Sequence, residues 1–203
     1  MTRRLGALLA FLAAGCARSG AAFLNLGSVP MGVTVDAQVH YYDVSAASLG
    51  ELRRAMFVLG PRVDNRAWTA ATQTNFRWVY RFERTPTSCL LREAKLELRT
   101  KITFPRWNPT AEPDSVTLEW WQQMNTGLME HERGHALISV KAAGEIRRAL
   151  EGMSGPTCEQ VATMASNRAT RLIAEQRRQQ AEYDRSTRHG ATQIEQAGRL
   201  RSP

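Results

Sequence analysis

The feature that most constrains this chain is a long run of helical periodicity that contains the pentapeptide HERGH, residues 131–135. Apolar residues recur there at steps of three and four, the spacing that places them on one face of a helix. Asp114 is suited to cap the start of this run, and Gly152 is suited to end it. The pattern predicts one amphipathic helix over about 114–150.

A second helical run follows the first after a very short connection. Thr157 and Gln160 have the spacing of a capping box, and the helical pattern continues from there to about Tyr183 or Asp184. Only residues 153–156 separate the two runs. Because so short a connection cannot carry the chain far, the two helices are predicted to form a long antiparallel hairpin.

The two histidines of HERGH carry the clearest chemical signal in the sequence. His131 and His135 stand four residues apart on one helix face, with Glu132 beside them, which is the H-E-x-x-H pattern of zinc peptidases. Both histidines lie on the apolar stripe, whereas a coincidental cluster of charged residues would lie on the solvent side. The pattern therefore predicts two zinc ligands and a general base, Glu132, that takes a proton from a zinc-activated water.

A catalytic zinc site needs a third protein ligand besides the histidine pair. Four residues of the second helical run and its end are candidates. Glu159 lies opposite the far end of the first helix, whereas Glu175 lies directly across the hairpin from HERGH. Asp184 and His189 follow near the end of the second helix. Sequence spacing alone leaves this choice open.

The first half of the chain reads as strands with one short helix. Residues 33–41 alternate between apolar and polar, and the stretches 73–85 and 90–104 do the same with aromatic and branched residues. The last two are expected to pair as antiparallel neighbours. A capping box and a Gly-Pro stop predict a short helix over about 48–60. The predicted fold class is α+β, a small antiparallel sheet with a short helix followed by the helical hairpin.

The first residues are typical of an export signal. Residues 1–16 contain two arginines, a short apolar run and small residues that lead to Cys16. This end resembles a lipobox, in which Cys16 is lipidated, although the usual leucine stands one position too early; ordinary signal cleavage is the alternative. Residues 17–30 are expected to form a tether, 31–190 the folded domain, and 191–203 a flexible tail.

The two remaining cysteines, Cys89 and Cys158, support export. Neither lies in a C-x-x-C spacing, so in an oxidising compartment they are expected to form a disulfide; two separate buried thiols are the alternative. Such a bridge would close a loop of about 70 residues and stabilise the fold by roughly 4 kcal/mol.

The chain is basic, with a formal net charge of +8, and many of its arginines lie near the C-terminal end. No aromatic-interleaved nucleic-acid motif accompanies them, so no specific nucleic-acid partner is predicted. The positive charge favours attraction to acidic surfaces such as an anionic membrane.

With HERGH on a long helix and a terminal Tyr-Asp-x-x-Thr-x-His-Gly motif, the chain resembles an uncharacterised bacterial family of predicted secreted Zn-dependent proteases. The similarity also covers the stretch YYDVS, the LGPR around Gly60 and the cysteine pair, and it extends over most of 35–193. The resemblance implies a zincin-like domain and names no substrate. The residues that match the terminal motif are Tyr183, Asp184, Thr187, His189 and Gly190.

The resemblance implies that one residue of this terminal motif completes the zinc site. A chain that leaves the second helix near Asp184 could double back and return His189 to the histidine pair, so His189 is the preferred third ligand. Asp184 and Glu175 remain the alternatives. Tyr183 is a candidate donor to the developing oxyanion on the basis of its chemical type.

These expectations combine into a secreted or lipid-anchored zinc-dependent metallopeptidase that hydrolyses peptide bonds, with Zn2+ as cofactor and a peptide or protein as substrate. Its expected place is the bacterial cell envelope, either the periplasm or the outer membrane, with attachment through a lipid on Cys16. Two alternatives stay open. One is an envelope binding or assembly lipoprotein without turnover, and the other is an amidase of cell-wall peptides.

Overall fold

A computed structural model describes residues 24–200. In this range the stretches with alternating sequence patterns form strands, and the stretches with helical periodicity form helices. The strands are β1 (Val33–Ala46), β2 (Arg62–Val63), β3 (Arg66–Ala67), β4 (Ala71–Arg84), β5 (Cys89–Pro109) and β6 (Ser154–Gly155). The helices are α1 (Leu49–Leu59), α2 (Ser115–Leu150), α3 (Cys158–Thr187) and α4 (Ala191–Arg199). The predicted α+β class is confirmed.

The main sheet has the strand order β1-β5-β4, and the short β6 also pairs with β5. β4 and β5 are antiparallel, as predicted, with Trp78 opposite Leu96. β1 instead lies parallel to β5, with Val33 opposite the same Leu96. The expectation of a purely antiparallel sheet is therefore wrong. The β4–β5 hairpin leaves one edge of β5 open, and β1 occupies that edge. The chain then passes through α1 and the β2–β3 pair to the far side of β5, where β4 runs antiparallel to both β5 and β1.

One face of the sheet packs on α2, and alternation along β5 explains why. Leu96, Leu98 and Ile102 are buried, whereas Lys95 and Arg99 point to the exposed face. Small and branched residues of α2 form the helix side of the core. The small residues let the backbone of α2 approach the sheet closely. The fully buried members of this helix stripe are Ala136, Ala143, Ile146 and Leu150.

The helical hairpin forms as predicted. Asp114 caps α2 by accepting a hydrogen bond from the backbone N–H of Thr117 at 2.7 Å, and Thr157 caps α3 by accepting one from Gln160 at 3.2 Å. Gly152 ends the first helix with a positive φ of 80°. Helix α3 continues to Thr187, a few residues beyond the predicted end, and this difference decides which residue of the terminal motif faces the two histidines.

The predicted disulfide between Cys89 and Cys158 is present, with an S–S distance of 1.99 Å. It joins the first residue of β5 to the first residue of α3. The bridge therefore ties the sheet to the start of the second long helix.

The two ends of the described chain are more ordered than their composition suggests. Within the predicted tether 17–30, Leu24 and Leu26 are buried in the core. Of the segment 191–203, expected as a flexible tail, residues Ala191–Arg199 form α4, which packs on α2. Gly127 of α2 makes this contact possible, because a Cβ there would collide with the backbone of Ile194.

The predicted signal segment 1–16, with Cys16 and the first part of the tether, lies outside the described residues. Within residues 24–200, none of the helices combines the length and the apolarity that are needed to cross a bilayer.

Candidate metal centre

Three donor atoms meet where α2 and α3 face each other. The Nε2 atoms of His131 and His135 lie 3.2 Å apart, and Oδ1 of Asp184 lies 3.3 Å from the first and 3.0 Å from the second. A tetrahedral zinc ion with bonds of 2.0–2.1 Å places its ligands about 3.3 Å from one another. The triangle therefore has the dimensions of one face of a tetrahedral metal site, and the group could hold a metal ion.

The hydrogen bonds of His135 fix which of its nitrogens carries the proton. Nε2 of Gln180 donates to the carbonyl oxygen of His135 and to Oγ of Ser139, both at 3.0 Å. The amide orientation is thereby set, so Oε1 of Gln180 is the acceptor that faces Nδ1 of His135. Because Nδ1 donates its hydrogen there, the lone pair of Nε2 points into the triangle.

His131 is held in the same tautomer by Thr187. The Thr187 hydroxyl donates to the carbonyl oxygen of Tyr183 at 2.7 Å, and it can therefore accept from Nδ1 of His131 at 3.3 Å. Burial, and after it the neighbouring His135, lowers the pKa of His131 to about 4. His131 is thus neutral near pH 7, with the lone pair of Nε2 exposed to the other two donors.

When both imidazoles are neutral, these tautomers bring three acceptor atoms together. Two imidazole lone pairs and one carboxylate oxygen at this distance repel one another unless a cation lies among them. The donor set itself is therefore the observation that favours a metal ion at this place. The predicted ligands His131 and His135 belong to it, together with Asp184.

Glu132 stands next to the triangle and is held by the sheet. Its residue is only 4% exposed, and its carboxylate accepts a hydrogen bond from the hydroxyl of Thr72, the second residue of β4, at 2.7 Å. Burial raises the pKa of Glu132 above its ordinary value, although the hydrogen bond from Thr72 opposes this shift. Glu132 is therefore a buried, oriented carboxylate beside the triangle and supplies none of its three donor atoms.

Tyr183 supports the two histidine rings. Its ring stacks on that of His131 with centroids 5.1 Å apart and meets that of His135 edge-on at 5.0 Å. Its hydroxyl accepts a hydrogen bond from Nε2 of Gln193 at 3.0 Å, and a Cβ on Gly134 would collide with it. Because Gly134 has no side chain, Tyr183 can approach α2 closely, and this explains the glycine inside the helix. The oxyanion role of Tyr183 stays a prediction.

His189, the preferred third ligand from the sequence, lies beside the triangle. Its Nδ1 is 3.6 Å from Oδ1 of Asp184, and its side chain is 53% exposed. Because α3 continues to Thr187, Asp184 stays on the helix facing the histidines, and the chain then turns sharply through Arg188 instead of doubling back in extended form. The geometry therefore favours the alternative, Asp184.

The other two candidates lie away from the site. Glu175 is half-exposed and forms an ion pair with Arg178 on its own helix, and Glu159 is exposed near the start of α3. Neither belongs to the group of donors that could hold a metal ion.

The terminal motif forms the second half of the site around His131. Gly190 has a φ of 89°, and a Cβ there would lie 3.2 Å from Cγ of His131. The backbone at Gly190 therefore packs directly against the His131 ring. Stacking by Tyr183, the hydrogen bond to Thr187 and the approach of Asp184 complete these surroundings. The spacing of this motif is thus explained by contacts with one histidine.

Several contributing residues were not singled out from the sequence. Ser139 and Gln180 stand one helical turn from His135 and Asp184 respectively, a spacing that could have indicated them. Thr72 and Trp68, whose ring lies 5.1 Å from that of His189, come from the sheet side of the fold. No local pattern connects them to the helical hairpin.

Comparison with known families gives one match. The model of DUF922, described as a bacterial protein of unknown function, matches residues 39–190, a range that contains both halves of the site. No curated protein and no solved structure matches the chain.

Proposed function

This chain belongs to the DUF922 family of bacterial proteins, and we propose that it is a zinc-dependent peptidase. The observation that carries this proposal is the triangle of ligand atoms from His131, His135 and Asp184 with the buried carboxylate of Glu132 beside it. Two histidines and one carboxylate would leave a fourth tetrahedral position for water or substrate, which distinguishes catalytic from structural zinc sites.

The donor types favour zinc over the common hard cations. Calcium and magnesium prefer sites made of oxygen atoms, whereas two of the three donors here are imidazole nitrogens. The distances of 3.0 to 3.3 Å between donors also suit a small tetrahedral ion. A zinc ion bound there would supply Lewis acidity, which polarises a carbonyl and makes water nucleophilic near neutral pH.

The residues of the chain supply the proton transfers. Glu132, oriented by Thr72, is the base that takes the proton of the attacking water, and it then gives that proton to the leaving amine. Its raised pKa suits both steps, because a carboxyl group that titrates closer to neutrality both accepts and releases a proton readily. Gln180 and Thr187 hold the two imidazoles in the metal-binding tautomer throughout.

The proposed location is the cell envelope, with export directed by residues 1–16 and attachment by a lipid on Cys16. The Cys89–Cys158 disulfide supports an oxidising compartment, where such bridges persist. The proposed partners are a peptide or protein substrate and the membrane that holds the anchor.

Burial of the centre favours a second candidate function. His131 and Glu132 are each only 4% exposed, which suits a metal held for structural reasons in an envelope binding or assembly protein. Peptide-bond cleavage separates the two candidates, because only the peptidase needs Glu132 as a base. Hydrolysis of cell-wall peptides would be a special case of the first candidate.

The test combines metal analysis with peptide digestion. The purified full-length chain should contain zinc by mass spectrometry, and it should cleave members of a peptide library. Glu132→Gln should retain the zinc and lose the cleavage. A protein that neither contains nor binds zinc would end the proposal, and cleavage that persists in Glu132→Gln would remove the assigned base.

A further inference from the structure

The backbone immediately after α3 adopts an uncommon conformation. Arg188, His189 and Gly190 are three consecutive residues with positive φ, at 51°, 53° and 89°. Arg188 occupies the position after a helix where a left-handed residue is ordinary, and Gly190 has no Cβ to oppose it. Neither explanation applies to His189, which lies one residue further from the helix and has a Cβ. A left-handed non-glycine residue costs about 1 kcal/mol or more, and such strain concentrates at functional sites.

The strained residue carries a side chain placed for contact with a ligand. The His189 ring is 53% exposed, whereas His131 and His135 are covered. Neither of its nitrogens makes a hydrogen bond to any residue in the described range 24–200; Nδ1 comes nearest, at 3.6 Å from Asp184. An imidazole beside the metal centre thus keeps its hydrogen-bonding capacity for a molecule outside the chain.

A residue from the opposite side of the fold holds this ring. Trp68 follows the β2–β3 hairpin, and its ring centroid lies 5.1 Å from that of His189. Its own backbone N–H donates to the carbonyl oxygen of Pro61 at 2.9 Å, and a Cβ on Gly60 would collide with its carbonyl. The backbone of Trp68 is therefore fixed by its own surroundings, and from there its ring contacts the His189 ring.

Tyr183, the other candidate for contact with the oxyanion, has both its ring and its hydroxyl in contact with other residues of the chain. Its hydroxyl accepts from Gln193 and lies against Gly134, while its ring stacks on His131. Asp184 completes the metal triangle without His189. His189 is thus the ring at the edge of the site that supplies no atom of the triangle and makes no hydrogen bond to its members.

We propose that His189 is a catalytic residue that contacts the substrate, donating a ring N–H to the scissile carbonyl oxygen as it becomes negative, and that Trp68 is its positioning residue. The proton stays on the imidazole, so the contact is a hydrogen bond that strengthens towards the transition state. This proposal rests on the proposed peptidase function and replaces the metal-ligand role that the sequence suggested for His189.

The first test compares zinc affinity and turnover in the full-length, zinc-loaded protein. His189→Ala should bind zinc with an affinity within about twofold of the wild type but lose about a hundredfold in kcat, with little change in KM. His189→Gln keeps an N–H donor and should recover part of that loss. His40→Ala, which removes an exposed histidine from β1, is the matched control and should behave like the wild type.

The positioning role of Trp68 is tested by replacing its ring. Trp68→Phe should retain most of the turnover because it keeps an aromatic face, whereas Trp68→Ala should approach the kcat of His189→Ala with unchanged zinc affinity. Thermal melts of each variant exclude a loss of folding as the cause. Equal losses in both Trp68 variants would contradict positioning by the ring.

A phosphonamidate peptide, which mimics the charged tetrahedral state, gives a readout without turnover. It should bind the zinc-loaded wild type more tightly than His189→Ala by about the same factor as the loss in kcat. If the wild type holds zinc but cleaves no peptide, the peptidase proposal fails and this binding difference still decides the role of His189. A phosphonamidate that binds both proteins equally or binds neither, or a His189→Ala variant that loses zinc, overturns the proposal.

Discussion

The hydroxyl of Thr72 lies 2.7 Å from Oε2 of Glu132, so an edge strand of the sheet holds the carboxylate that follows the first histidine of the candidate metal centre. The same hydroxyl also donates to the backbone oxygen of Glu132 at 3.2 Å. Glu132 is thereby fixed from outside its own helix. A buried carboxylate with such a partner keeps one preferred orientation, which a general base requires.

Removing this hydroxyl should lower turnover without affecting the metal. Thr72→Val keeps the shape of the side chain, and we expect kcat for peptide cleavage to fall about tenfold or more, because a hydrogen bond to a charged group contributes about 1.5–3 kcal/mol. Zinc affinity by calorimetry should stay the same. Thr72→Ser should restore most of the activity, and Thr74→Val, two residues along the same face of β4, serves as the control. Equal activity in Thr72→Val and wild type would contradict the assignment.

The raised pKa of Glu132 predicts a pH-dependent stability in the metal-free protein. Because burial raises this pKa on folding, the folded chain binds the proton more tightly than the unfolded chain does. The carboxyl group therefore destabilises the fold as pH rises from the unfolded pKa of about 4.3 through the raised folded value. Glu132→Gln should melt at a higher temperature than the wild type at pH 8, and the difference should vanish near pH 4. A difference that is independent of pH would show that ionisation is not its cause.

Much of the hairpin and half of the site were predictable because their signals are local. The caps at Asp114 and Thr157, the stop at Gly152 and the i, i+4 histidine pair each depend on residues within one or two turns. Pairing of β1 with β5 depends on contacts across about 60 residues, which no periodicity encodes. The order of α4 likewise depends on a fit to Gly127 rather than on its own composition.

The third donor shows how a small error in a helix boundary changes a site. If α3 ended at Asp184, the following residues could return His189 to the histidines, whereas a helix that continues to Thr187 presents Asp184 itself. The sequence contains both candidates within the same motif. Only the position of the helix end, which is set by packing around His131, distinguishes them.

Substitution of Asp184 should therefore remove most of the metal affinity. Asp184→Ala leaves two protein ligands, and we expect the zinc dissociation constant in calorimetry to rise by more than about a hundredfold, beyond the usual effect of losing an outer partner. Glu175→Gln, which changes a half-exposed carboxylate on the same helix, is the matched control and should bind zinc like the wild type. Loss of binding in the control instead would identify a different ligand.

The amide of Gln180 should tune metal affinity through the tautomer of His135. Gln180→Leu removes the acceptor that faces Nδ1, so the proton can move to Nε2 and block the lone pair. Zinc affinity is expected to fall by about ten- to a hundredfold, the typical effect of losing such a partner. Gln180→Glu keeps an acceptor and should bind zinc at least as well as the wild type. Equal affinities in Gln180→Leu and wild type would show that another group fixes the ring.

Gly134 allows two physical effects of opposite sign to be compared directly. Alanine is favoured over glycine inside a helix by about 1 kcal/mol, so Gly134→Ala would stabilise α2 if the position were open. A Cβ there instead collides with the hydroxyl end of Tyr183, the ring that stacks on His131. We expect the steric effect to dominate, so Gly134→Ala should lower both the melting temperature and the zinc affinity.

Tyr183→Leu provides the corresponding rescue for this last prediction. It removes the three atoms that a new Cβ would meet, which are the hydroxyl oxygen, Cζ and Cε1, and it also releases Gln193. The double variant should recover part of the zinc affinity that Gly134→Ala loses, measured by calorimetry on folded protein. A Gly134→Ala protein that melts above the wild type would mean that Tyr183 moves aside freely, and the ring would then have no fixed part in holding His131.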